Sequence, residues 1–274
     1  MFRPVVLGAA LAVLALVPAA QAQDPDQAWK NLVLRGLAQA STNDFPKSEQ
    51  TFEQALHEAQ RFGAEDARVG STLNSLGLVY RAQKKYSDAE NAYRRAMAIL
   101  EKAYGPDSID VGNISFNLAN VMFDEGKASA AAPAIQRSLS IYEALLGPTS
   151  GKTGTVLCML GDAYRSLKNY AAAEGPLQRC ADIREMQGGV QNPELADALH
   201  SLALAYVGDG KYAAAEPRFK LTEKIRENTL GITSPLLAQT MEDHAAMLKT
   251  MGREKDAERL STIAAAIRRA QKGK

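Results

Sequence analysis

The sequence predicts an all-α solenoid of about six antiparallel helix-turn-helix units, and three observations carry that prediction. One glycine recurs at a constant interval, at Gly63, Gly105, Gly147, Gly189 and Gly231. Around that beat the text repeats. DAENAYRRA (88–96), AAAEGPLQRC (171–180) and AAAEPRFKLT (213–222) share an Ala-Glu pair with a small residue seven places after its alanine. Between the glycines, apolar residues fall at helical spacing on either side of a short polar turn. A fixed period of this length marks an array of one supersecondary unit whose copies share an elongated core.

Composition agrees with a folded protein: 46% of residues are hydrophobic and 23% charged. The formal charge is +1, from 32 Lys+Arg and 31 Asp+Glu. Such a balance gives no reason to expect nucleic acid or an anionic membrane as the main partner. The N-terminus is a separate object. Arg3, an apolar run from Val5 to Val17, Pro18 and then Ala20-Gln21-Ala22 follow the order of a cleavable secretory signal. The run is too short for a comfortable bilayer span. Residues 1–22 are therefore expected to be removed on export, leaving no stable membrane span, with the periplasm as destination and secretion beyond it as the alternative. In an oxidising compartment Cys158 and Cys180 could be bridged. Cys180 falls in a small-residue column with Ala96, Ser138, Thr222 and Ala264, which favours two separate thiols.

After a polar leader, 23–27, the first helix is expected from about Ala28, with Trp29, Leu32, Val33, Gly36 and Leu37 at helical spacing. A second starts at Phe45 and ends near Gly63. The start of this unit falls one position short of the common interval, and Arg35 stands where later units place leucine, as suits a terminal repeat. The second unit is the clearest. Leu73, Leu76, Gly77 and Tyr80 mark its first helix, and Tyr86, Ala89, Tyr93 and Ala96 its second. The short turn Gln83-Lys84-Lys85 forces the pair antiparallel. Small residues at Gly77, Ala89 and Ala96 mark a close helix contact, where added bulk typically costs about 1–3 kcal/mol.

That pattern resembles the tetratricopeptide repeat, and its 42-residue spacing resembles the kinesin-light-chain variety of it. The resemblance covers nearly all of 28–274, with units at about 28–63, 65–105, 107–147, 149–189, 191–231 and 233–274. Leu118-Ala119, Leu160-Gly161 and Leu202-Ala203 repeat Leu76-Gly77, and Tyr164 and Tyr206 repeat Tyr80. The third unit has Met122 and Ala128 in place of tyrosines and reads as loosened; the last has His244-Ala245 for Leu-Gly. Arg268, Arg269, Lys272 and Lys274 near its end suit a helix C-terminus, with a basic docking tail as the alternative. Pro133, Pro176 and Pro217 fall inside second helices, and a local kink is expected at Pro176.

Motifs for chemistry are weak. Gly151-Lys152-Thr153 lacks the upstream glycine of a phosphate loop, Leu146 standing in its place, and reads as an inter-repeat turn. Cys158, His200 and Glu242 share one column, but stacked helices lie about 8–10 Å apart, beyond the reach that catalysis needs, and nothing supplies an oxyanion hole. No enzyme and no cofactor are expected.

The resemblance implies a right-handed superhelix whose first helices line a concave binding face. Three columns then lie there: Asn74, Phe116, Cys158, His200 and Glu242; Leu78, Asn120, Asp162, Leu204 and Ala246; Arg81, Phe123, Arg165, Val207 and Lys249. The candidate contact residues are Asn74, Arg81, Phe116, Asn120, Phe123, Asp162, Arg165, His200 and Lys249, since aromatics and arginine tend to anchor interfaces. The lysine-asparagine carboxylate clamp of chaperone-binding members does not match at Asn74 and Leu78. The function implied is an adaptor for a protein or peptide partner; the second reading is a self-assembling module of an envelope complex, and homo-oligomers are left open.

Overall fold

A computed structural model describes residues 24–272. The expected signal segment lies outside the described residues. Among the described residues twelve α-helices pair in chain order: α1 (Pro25–Ser41) with α2 (Phe45–Gln60), α3 (Ala67–Ala82) with α4 (Tyr86–Tyr104), and α5 (Ile109–Asp124) with α6 (Ala128–Leu146). The second half continues with α7 (Gly151–Ser166) and α8 (Tyr170–Gly188), α9 (Pro193–Gly208) and α10 (Tyr212–Leu230), and α11 (Pro235–Thr250) and α12 (Glu254–Lys272). Each second helix also packs on the next unit's first helix, so six hairpins form one stack. Successive first helices approach one another (α3 with α5, α7 with α9, α9 with α11), and no two second helices come as close. The first helices therefore line the inner side of the stack.

Local chemistry sets the boundaries. Every first helix begins behind Asp24, Asp66, Ser108, Ser150, Asn192 or Ser234, which recur at the same interval as the glycines. In all but the last the side chain accepts a backbone N–H of the first turn, satisfying a donor that has no intrahelical partner. Asp24 with Pro25 at the first helical position starts α1 earlier than the Ala28 expected. The recurring glycines that stop the second helices all have positive φ, from 68° to 127°, a conformation that a Cβ disfavours. Inside the close contacts there is no room to spare. A Cβ on Gly77 would lie 2.5 Å from the Tyr93 ring, and one on Gly161 2.3 Å from Leu177.

Three expectations change. The third unit is not loosened: α5 and α6 have the same lengths as their counterparts, with Met122 and Ala128 buried. A smaller shift concerns Pro176: it interrupts no helix, α8 continuing on both sides of it, and the kink expected there is compatible with that continuity. Gly151-Lys152-Thr153 is not a turn but the first turn of α7, capped by Ser150, with Thr153 fully buried.

The third concerns the cysteines, which are not separate thiols. Cys158 on α7 and Cys180 on α8 form a disulfide with Cα atoms 5.4 Å apart, because antiparallel pairing about the Lys168 turn brings them level. Its 22-residue separation implies about 3 kcal/mol from loop closure. Reduction is expected to shift the denaturant midpoint down accordingly, and a Cys158→Ser/Cys180→Ser variant should unfold at the same lowered midpoint with or without reductant. An unchanged midpoint on reduction would contradict this.

The two halves of the stack are sealed differently. Tyr142, Arg184, Arg226 and Arg268 occupy equivalent positions in the last four second helices. Each donates to the fifth residue of its own unit's first helix: Asn113, Thr155, Asp197 and Gln239 respectively. Two of the arginines also reach into the following unit. Arg184 pairs with Glu194 at 3.0 Å, and Arg226 donates to the Leu236 carbonyl at 2.9 Å and to Thr240 Oγ1. In the second unit the equivalent residue is Leu100, buried in the apolar core.

Candidate functional site

None of the nine candidate contact residues is buried: Lys249 is exposed and the other eight are half-buried. They do lie on the inner helices, yet the structure does not gather them into one site. Most of their charges are already answered within the chain. Arg81 pairs with Asp124 at 2.7 Å, and Arg165 with Asp162 at 3.2 Å. His200 Nε2 lies 2.9 Å from Asp243. Burial pushes the Asp243 carboxyl up, but hydrogen bonds from His200 and Gln239, with the charges of His200 and Arg165, outweigh it and hold the group below its ordinary value. Asn120 donates to the Phe116 carbonyl of its own helix. The Cys158, His200, Glu242 column offers no free thiol, and Glu242 accepts from Arg268.

Two candidates, Asn74 and Phe116, line a cavity of about 450 Å³ on the inner face. The rest of its wall is Leu78, Asn113, Asn117, Tyr142, Lys152 and Thr155, drawn from α3, α5, α6 and α7. Leu78 is 43% exposed and forms an apolar lip. Leu37, its equivalent in the first unit, and Leu34 beside it are exposed as well, so apolar surface extends from the cavity toward the N-terminal end. The polar floor is a network. The Asn117 amide donates to Asn74 at 3.0 Å. Asn113 Oδ1 accepts from the Tyr142 hydroxyl at 2.7 Å and from Lys152 Nζ at 3.0 Å, while the ammonium lies 5.4 Å from the centre of the Tyr142 ring.

Two other hollows lie at the first unit and at the last junction. One of about 610 Å³, walled by Leu32, Gln50, Glu53, Gln54, His57 and Glu58, lies between α1 and α2 of the first unit. Another, of about 320 Å³, lies where the last two units meet and includes Glu223 and His244. There two positions that are apolar in earlier units, Leu139 with Leu160 and Ala181 with Leu202, hold Glu223 and His244, joined at 2.8 Å. His244 is buried and stacks on Phe219, with ring centres 5.2 Å apart.

Asn113, Asn117 and Lys152 are the residues that sequence reasoning missed. Their signal was available: Asn113 and Asn117 lie four apart on one helix beside Phe116, so they share a face. Lys152 was absorbed into a supposed turn, whereas its place on α7 aims it back at α5.

A twelve-helix stack of capped hairpins with an inner groove is an α-solenoid of the kind that presents long binding surfaces. The profile of the tetratricopeptide repeat matches residues 26–102, 68–144, 110–186, 154–228 and 194–270. The chain belongs to the tetratricopeptide-repeat family. BtubC (BKLC) from P. vanneervenii has a similar structure, with a TM-score of 0.70 and 23% identity, over 84% of this chain and 93% of that one. A kinesin-light-chain protein of Podosopora anserina with nearly identical TPR-like repeats gives a TM-score of 0.64 at 16% identity, over 76% and 98%. A Rap protein solved in complex with competence and sporulation factor gives 0.55 at 17% identity, over 88% and 75%. At these identities the likeness is one of fold. No curated protein matches the chain in sequence.

Proposed function

We propose that this chain is an exported adaptor, not an enzyme, which binds an extended peptide or protein segment along its inner face. The single observation that carries the reading is the inner cavity, where amides from α3 and α5 converge beside Leu78 and Phe116. Free amide groups suit the peptide backbone, which presents one donor and one acceptor per residue, and the apolar lip suits alternate side chains. A neighbour of the same fold was solved with a bound factor, which lends the reading support by analogy only. Export rests on the order of Arg3, Val5 to Val17 and Ala20-Gln21-Ala22, and the disulfide is consistent with an oxidising compartment.

Binding partners recovered from the producing cell should lose at least about tenfold in affinity when Phe116 or Leu78 becomes alanine, the scale of an interface anchor. Arg179→Ala on α8 should leave binding unchanged. Titration by calorimetry reads both, and equal affinities for all variants would refute the groove. Self-assembly is the second reading. It is favoured by Phe62, Tyr104, Leu146 and Leu230, which are exposed directly before four of the recurring glycines. Under that reading, light scattering would show a size that grows with concentration and shrinks on Tyr104→Ser.

A further inference from the structure

The hydrogen-bonding capacity left over in the inner cavity specifies more than a generic peptide. Lys152 can only donate, so the atom of Asn113 that it shares with the Tyr142 hydroxyl is the oxygen, and the hydroxyl, which can donate or accept, donates there. The Asn113 NH₂ group is thereby oriented away from them and has no partner among the described residues. Asn74 and Asn117 spend one donor and one acceptor on each other. Whichever way round that pair is written, it leaves one NH₂ group and one oxygen. The Lys152 ammonium has used one of its three N–H groups, on a neutral acceptor. No aspartate or glutamate lines the cavity, and Lys152 forms no ion pair among the described residues. By contrast, the hollow at the first unit holds Glu53 and Glu58, and the one at the last junction holds Glu216, Glu223 and Asp256. The inner cavity is therefore rich in donors, carries one uncompensated positive charge and has an apolar wall of Leu78 and Phe116.

We infer that the cavity holds the carboxylate side chain of an aspartate or glutamate within an extended peptide, next to an apolar residue of the same peptide. The inference rests on the binding-groove reading and names the partner's chemistry. Charge-assisted hydrogen bonds from Lys152 and the amide groups would satisfy both carboxylate oxygens. The apolar neighbour would cover Leu78 and Phe116, excluding water and so strengthening the ion pair. A side chain, not a chain end, is the source, because the apolar surface at Leu37 and Leu34 continues past the cavity on one side and polar inner-face residues continue on the other. A peptide can thus run through the site in both directions.

The test is a selection of random nine-residue peptides, displayed inside a loop so that none has a free C-terminus, on the folded chain lacking residues 1–22. The expected winners pair Asp or Glu with Leu, Ile, Met or Phe. As synthetic peptides they should bind about tenfold more weakly to Lys152→Gln and to Phe116→Ala, and equally well to Lys255→Gln. Changing the peptide's acid to its amide should cost the same factor on the wild type and nothing further on Lys152→Gln. Winners that depend on Phe116 but show no acid preference would overturn the carboxylate inference and leave the groove reading standing. A preference that appears only when the same library is given free C-termini would assign the carboxylate to a chain end, and also overturn it. The absence of any Phe116-dependent winner would overturn both. Lys152 is exposed, so its variant should keep the wild-type unfolding temperature.

Discussion

Phe219→Ala is expected to destabilise the protein by about 3–5 kcal/mol, the usual range for emptying a fully buried phenylalanine site. Phe219 has no exposed surface and belongs to the cluster with Ala203, Ala215, Ala245, Met247, Leu248 and Ala257, which joins the last two hairpins. Its ring stacks on His244 and lies 6.0 Å from His200. It is surrounded largely by alanines, whose short side chains cannot swing in to fill the space. In a solenoid each unit contacts only its neighbours, so the loss should be local. Hydrogen exchange should show α11 and α12 opening well before α3 to α6. Phe219→Leu, which keeps most of the volume, should cost far less. Uniform loss of protection along the whole chain would argue against a modular stack.

Arg226→Ala is expected to cost about 3 kcal/mol, on the scale of bonds from a charged donor, each worth about 1.5–3 kcal/mol in mutational series. Its side chain is 5% exposed and makes three hydrogen bonds, to Asp197, to the Leu236 carbonyl and to Thr240. Asp197, however, is 66% exposed and returns to water without penalty, which holds the total below a simple sum. The arginine is also one of the ties between the fifth and sixth units, beside Glu223–His244 and His200–Asp243. Arg226→Lys should recover little, because an ammonium cannot span three acceptors in the fork geometry of a guanidinium. Urea unfolding of the two variants measures this. A change below about 1 kcal/mol for alanine would mean that this junction does not depend on the arginine.

The fold was legible in the sequence because its information is periodic. Gly63 to Gly231 and the caps from Asp66 to Ser234 repeat at one interval, so each unit confirms the others. What is unique to one unit was harder to read. The Cys158–Cys180 bridge was hidden because Cys180 fits a small-residue column that needs no special explanation, while its partner's position depends on where the α7–α8 turn falls. The inner face was legible as columns, but not as electrostatics. Arg81 meets Asp124 and His200 meets Asp243 at a separation of 43 residues, one more than the repeat, so columns drawn at the repeat interval never showed the charges being neutralised. Lys152, with no such partner, looked like part of a turn.

The most direct test of the inner-face claim is site-specific photo-crosslinking in the producing cell. One probe replaces Phe116 in the cavity, and a control replaces Arg179 on α8, whose side chain is 46% exposed and pairs with Glu143. The expected result is an adduct at position 116 alone, mapping by mass spectrometry to one short linear segment of another protein that contains an acidic and an apolar residue. Adducts confined to position 179, or adducts at 116 that map only to other copies of this chain, would contradict the account and favour self-assembly.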